Sequence, residues 1–197
     1  MKERVGVILA RFQPVHNGHL SLIKKALQEN DKVLILVGSA DKVNSRNPIP
    51  VYIRSEYVKK AIDELFYNDD TLHCKSYDII ELDDYSDESD NSHDWGFYLY
   101  ANIVKHIGQD KFTVYYSDGF EIITSWFPGW IMRNCISMSL MARGGVEDGI
   151  SATYVRNLIY SNSKHEFEED EELKKIVPSC IYENRKLIAA FINIHTK

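Results

Sequence analysis

Two short, nearly unbroken apolar runs constrain this chain more than anything else in it: Arg4 to Ala10 (RVGVILA) and Lys32 to Val37 (KVLILV). Runs so short and so apolar read as strands buried on both faces, which calls for a parallel sheet covered by helices. Between them Leu20, Leu22, Ile23, Ala26 and Leu27 recur at helical spacing from Gly18 to Asn30, with Asn17 as the expected cap. Strand, helix, strand in so short a stretch is a right-handed crossover. The alternation continues with a helix around Tyr52 to Phe66, a strand at Thr71 to Tyr77, a helix at Trp95 to Ile107 and a strand at Phe112 to Ser117. A helical stretch at Phe120 to Phe127, a short strand at Cys135 to Leu140, and helices from Thr153 and from Ser179 to Ile192 follow. The expected fold is α/β and doubly wound, one domain over residues 1–197, with C-terminal helices from about 153 to 197 packed on it.

Composition narrows the partners. A formal charge of −6 gives no overall positive field for a polyanion, so nonspecific nucleic-acid or acidic-membrane binding is disfavoured. No window approaches the roughly 20 apolar residues of a membrane span, and the N-terminus enters a strand-like run at once, so a cytoplasmic protein is expected. Cys74, Cys135 and Cys180 are odd in number and far apart, which suits reduced core thiols better than a disulfide framework or a zinc site. The acidic stretches Glu81 to Asp94 and Glu166 to Glu172 are expected on the solvated surface.

Chemistry concentrates in two segments. Arg11-Phe12-Gln13-Pro14-Val15-His16-Asn17-Gly18-His19 lies between the first strand and the first helix, beyond the carboxyl end of a strand, where open parallel sheets bind ligands. His16 and His19, three apart, can face the same side, Gly18 permits close backbone approach, and the helix N-terminus favours phosphate. Late in the chain, after Gly144, Gly145 and Gly149, comes Ile150-Ser151-Ala152-Thr153-Tyr154-Val155-Arg156. Ser151 there reads as a cap, and Thr153 and Arg156 share one helix face, a second anion site.

A strand followed by H-x-G-H, with I-S-x-T-x-x-R opening a late helix, resembles the adenylyltransferase and cytidylyltransferase superfamily, whose Rossmann-like fold is shared with class I aminoacyl-tRNA synthetases. R-F-Q-P before the first His is similar to the nicotinamide mononucleotide adenylyltransferases of the archaeal type and of bifunctional bacterial enzymes. Gly38-Ser39-Ala40, Arg46-Asn47-Pro48 and Val177-Pro178 add to that likeness, which covers nearly the whole chain. The resemblance implies a reaction of ATP with nicotinamide mononucleotide that gives NAD and pyrophosphate, with Mg2+ held mainly by the ATP phosphates. It implies catalytic roles for His16, His19 and Arg11, and ATP binding by Gly18, Gly38, Ser151, Thr153 and Arg156. Arg46 would lie near the nucleotide phosphates on the acceptor side, and Trp95 would stack on the nicotinamide ring. No compact carboxylate cluster suggests a metal cage of the protein's own. Relatives often form homo-oligomers.

Three features depart from the family pattern. Ala10 stands where relatives have Gly before the Arg, and the acidic insertion leaves the alignment of Asp83, Asp84, Asn91 and Asp94 open. With its last residue at Lys197, the chain is expected to lack the hydrolase domain of bifunctional relatives. Other acceptors on the same fold are nicotinate mononucleotide, flavin mononucleotide, pantetheine phosphate, or a sugar or polyol phosphate with CTP. A sensor that binds nucleotide without turnover has no need of both His, Arg11 and the Ser-Thr-Arg set. A dinucleotide-binding dehydrogenase would carry G-x-G-x-x-G glycines that the first turn lacks. The acidic insertion is expected to act as a flap near the acceptor.

Overall fold

The computed structural model describes residues 3–87, 90–117, 120–141, 150–163 and 170–195. Five strands, β1 (Val5–Ala10), β2 (Lys32–Val37), β3 (Ser76–Glu81), β4 (Phe112–Tyr116) and β5 (Ile136–Leu140), form one parallel sheet in the order β3-β2-β1-β4-β5. The order reverses between β1 and β4, so a crevice opens there at the carboxyl ends of the strands.

β2 shows why the sheet needs cover on both sides. Val33, Ile35 and Val37 join one buried cluster, Leu34 and Leu36 the other, and all five are fully buried. The first cluster takes in α1 (Asn17–Glu29), α2 (Val51–Asn68), α6 (Ala152–Asn162) and α9 (Arg185–His195), through residues such as Ile23, Ile62, Val155 and Ile188. The second is closed by α3 (His93–Ile107) and α5 (Gly129–Asn134), with Leu99, Ile103 and Ile131. Period-two alternation thus serves two helical layers at once, which is why β2 reads as a continuous apolar run. In the second layer α4 (Phe120–Trp126) packs across α3, while α7 (Glu171–Ile176) and α8 (Ser179–Glu183) link α6 to α9. No helix among the described residues is long and apolar enough to cross a membrane.

Several expectations shift. The third strand begins at Ser76, five residues beyond the expected Thr71, because Asp69 accepts from the Thr71 backbone N–H at 3.1 Å and from its hydroxyl at 2.5 Å. That capped turn, 3₁₀ over Asp70–Leu72, buries Leu72 in the core and takes up the β-branched and apolar residues that suggested a strand. The cap of α1 is His16 rather than Asn17, whose side-chain amide instead donates to the Lys175 carbonyl oxygen at 2.8 Å. The C-terminal helix is broken at Asn184 into α8 and α9. Within the second acidic run Asp170 caps α7 by accepting from the backbone N–H of Glu172 and Leu173, and Glu171 and Glu172 are exposed on that helix, as expected of solvated surface. The rest of that run, 166–169, and Gly144, Gly145 and Gly149 lie outside the described residues. Of the three thiols only Cys180 is buried; Cys74 is exposed and Cys135 half-buried, so the core-thiol reading holds for one position.

One contact sets the distance between α3 and α4. A Cβ placed on Gly96 would lie 1.8 Å from the carbonyl oxygen of Trp126, so the two helices meet only because this residue has no side chain. Gly96→Ala is expected to destabilise the fold by about 2–3 kcal/mol through overpacking, against the small gain that Ala normally brings to a helix. Urea unfolding should show it as a lower midpoint with an unchanged slope.

Candidate functional site

The chain leaves β1 and β2 through two neighbouring turns, and both pass through backbone that L residues seldom adopt: Phe12 and Ser39 each have φ of +50°. Such residues carry strain of order 1–3 kcal/mol and persist only where their surroundings fix them. Arg54 of α2 fixes both. Its side chain is 1% exposed, and it donates to the carbonyl oxygens of Arg11 (2.6 Å), Gly38 (2.8 Å), Ser39 (3.0 Å) and Ile49 (2.9 Å). Burial first, and then the neighbouring Arg11, lower its pKa to about 10, so it remains charged at neutral pH. Gln13 completes the clamp. Its buried amide donates to the Ile49 carbonyl and accepts from the Ile49 N–H, both at 3.0 Å. Neither Arg54 nor the role of Gln13 stood out in the sequence; an arginine on the apolar face of α2, beside Val58, Ala61 and Ile62, was the available signal.

His16 opens α1 with extended backbone and its carbonyl accepts from His19 N–H at 2.8 Å. His19, three residues on, accepts in return from the His16 N–H through Nδ1 at 3.3 Å, and the two rings stack with centroids 3.8 Å apart. That reciprocal bond assigns the tautomer: with Nδ1 as acceptor, the neutral His19 ring carries its proton on Nε2. Desolvation, and secondarily the charge of His16, hold the His19 pKa well below the ordinary value of about 6.5. Gly18 gives the His16 ring room, since a Cβ there would lie 3.1 Å from it.

Two pockets meet at this corner. One, of 330 Å³, is walled by Arg11, Phe12, Gln13, His19, Arg46, Ala152, Thr153 and Arg156. Arg156 donates to the Gln13 carbonyl at 2.7 Å and to Thr153 Oγ1 at 3.2 Å, and burial followed by Arg11 lowers its pKa. Ser151 caps α6, accepting from the Tyr154 N–H at 3.1 Å. Three guanidiniums beside a capped helix N-terminus form a site for a polyanion. The other pocket, of 240 Å³, lies at the ends of β1 and β2 between Arg11, Gly38, Ser39, Trp95 and Trp126, with Asp84, Asp87, Asp90 and Asn91 of the acidic segment on its rim. Arg11 lines both.

The predicted residues therefore converge on this corner and are divided between the two pockets. Gly38 stands with Trp95, while Arg46 stands with His19 and Arg156; His16 and Ser151 act on the helix starts and line neither pocket. Part of the acidic segment turns inward: Asp84 is half-buried and accepts from Ser39 Oγ at 3.1 Å. A larger cavity, of 540 Å³, opens at the far end of the sheet near Arg4, Lys111 and Arg133, and none of these site residues lines it.

Residues 7–158 match the family model described as cytidylyltransferase-like. A nicotinamide-nucleotide adenylyltransferase of Thermococcus sibiricus is 40% identical over 60 residues, 30% of this chain and 32% of that protein. One of Methanococcus aeolicus is 51% identical over 57 residues, 28% of this chain and 33% of that protein. The matched stretch thus spans about a third of these relatives. Among solved structures, a bifunctional NMN adenylyltransferase/ADP ribose pyrophosphatase from Francisella tularensis, complexed with AMP and a manganese ion, superposes with a TM-score of 0.65. It is 20% identical and the match covers 98% of this chain and 54% of that one, a likeness of fold.

Two outcomes follow from the geometry. Arg54→Met, which keeps bulk but leaves four carbonyls without this donor, is expected to destabilise by at least about 3 kcal/mol in denaturant unfolding, and Arg54→Lys by less. For His19 the folded pKa is depressed, so below about pH 6.5 the unfolded state binds a proton that the folded state refuses, and stability falls as pH falls. His19→Asn should lose less stability than the wild type between pH 7.5 and 5, measured by urea midpoints at each pH.

Proposed function

The chain belongs to the cytidylyltransferase-like family, and from that premise we propose that it is an adenylyltransferase that joins ATP to nicotinamide mononucleotide, releasing NAD and pyrophosphate. The observation that carries this reading is Arg11, which among the described residues is the one on the walls of both pockets. An acceptor phosphate in the tryptophan pocket and the α-phosphate of ATP in the arginine pocket would meet there. The archaeal relatives, both nicotinamide-nucleotide adenylyltransferases, support the same acceptor. So does the charge along the site. A cationic ring suits the end rimmed by Asp84, Asp87 and Asp90, and a phosphate suits the end held by Arg11, Arg46 and Arg156. Hydrogen bonds from Ser86 and Ser92 hold Asp90 below the usual carboxylate range, so it is ionised at neutral pH.

The reaction forms a bond from an acceptor phosphate oxygen to the α-phosphorus, while the α–β anhydride bond breaks and pyrophosphate leaves. No protein nucleophile is needed. The work is to bring two anions together and offset their repulsion as charge builds on the reacting phosphoryl oxygens. Arg11 would sit between the anions. His19, neutral and carrying its proton on Nε2, would donate to a phosphate oxygen, and His16 would hold its ring. Thr153, Arg156 and Arg46 would bind the β and γ phosphates at the start of α6. Magnesium, a hard cation that keeps phosphate and water ligands, would travel on the ATP phosphates. Among the described residues no group of three or more His, Cys, Asp or Glu is placed to hold an ion, so this chain's part would be to order the polyphosphate around it.

Pyrophosphate release from ATP and magnesium is expected with nicotinamide mononucleotide and to be weaker with its deamidated acid, flavin mononucleotide or pantetheine phosphate. Release with one of those others alone would replace the acceptor. His19→Ala should lower kcat by about 10²–10⁴ with the urea midpoint nearly kept. Because an adjacent phosphate favours the protonated ring, ATP binding near pH 6 should take up protons, read as a buffer-dependent enthalpy in calorimetry.

A further inference from the structure

Trp126 ends α4, half-buried, on the wall of the tryptophan pocket and of a smaller apolar pocket of 160 Å³ beneath it. Three observations give it a particular place. The close crossing at Gly96 brings the backbone of Trp126 onto α3 one residue from Trp95. The two indoles then meet edge to face, with centroids 6.0 Å apart and planes at 88°. Finally, Trp126 Nε1 donates to Asn91 Oδ1 at 2.9 Å, and Asn91 belongs to the acidic segment on the rim of the same pocket.

We propose that Trp126 is a specificity-determining residue for the acceptor, the second aromatic wall of the pocket and the anchor that holds the acidic segment over the acceptor's ring. This rests on the pocket's being the acceptor site. Two perpendicular indoles form a corner: a flat ring stacked on one of them presents its edge to the face of the other, which fixes both its plane and its depth. A planar cationic heteroaromatic ring gains stacking and cation–π attraction there, and the carboxylates of Asp84 and Asp87 add to it. A flexible aliphatic acceptor gains neither. Trp126 therefore selects for ring-bearing acceptors, and its bond to Asn91 keeps the acidic rim in place without touching the ATP side.

The test uses the full chain. Intrinsic fluorescence is titrated with nicotinamide mononucleotide in the absence of ATP, and steady-state KM values are measured for both substrates. Trp130, 51% exposed and not on the pocket wall, supplies the control Trp130→Phe. Trp126→Leu is expected to raise the KM for nicotinamide mononucleotide about tenfold or more, with the KM for ATP within twofold and the fluorescence quench reduced. Trp130→Phe should leave both KM values unchanged. If Trp126→Leu does not fold, Trp126→Phe and Asn91→Ala, which remove the indole–amide bond while keeping an aromatic wall, should each raise the acceptor KM about three- to fivefold. Normal turnover of nicotinamide mononucleotide with its KM unchanged in the folded variants overturns the role of Trp126 and leaves the proposed function standing. Turnover of pantetheine phosphate alone by the wild type overturns both.

Discussion

A single buried guanidinium holds the two strand exits together, and the geometry of both pockets depends on it. The turns after β1 and β2 each contain a non-glycine residue in left-handed backbone, and neither would keep that shape in isolation. Arg54 converts the two local strains into one shared structure by donating to carbonyls on both sides of the gap. With no carboxylate on its guanidinium among the described ion pairs, it also adds positive charge beneath this corner, and burial lowers its pKa to about 10 against the opposing attraction of Glu81.

The histidine pair follows the same logic on a smaller scale. His16 and His19 are held by the start of α1 through a reciprocal backbone-to-ring bond, so the ring that lines the pocket arrives with its tautomer set. Desolvation, and then the charge of His16, favour its neutral form. A donor prepared in this way needs no reorganisation when charge develops on a phosphoryl oxygen, and electrostatic catalysis depends on that readiness. On the other side of Arg11 the tryptophan pocket is built by packing: one missing side chain at Gly96 lets two helices touch and two indoles meet.

Much of this was legible in the chain. β1 and β2 announced themselves by apolar runs, α1 by its periodicity, and α6 by its cap at Ser151, because each depends on residues adjacent in sequence. The third strand was misplaced because a capped turn and a strand draw on the same residues, Thr71 and Leu72, and only the packing of Leu72 separates them. The short helices α5 and α7 escaped notice since helices of six residues carry too little periodicity to register.

By itself, then, the sequence determined the parallel sheet and the two helix starts at His16 and Ser151, since these rest on local patterns of burial and capping. Tertiary structure alone decided how the site residues are shared out. Gly38 joined Trp95 and Arg46 joined Arg156 because the exits of β1 and β2 lie side by side in the sheet, a proximity no local spacing encodes. Arg54 and Trp126 became site residues for the same reason. One reaches four carbonyls from three segments, and the other reaches Trp95 across a helix crossing, contacts between residues far apart in the chain that exist only once the layers have closed.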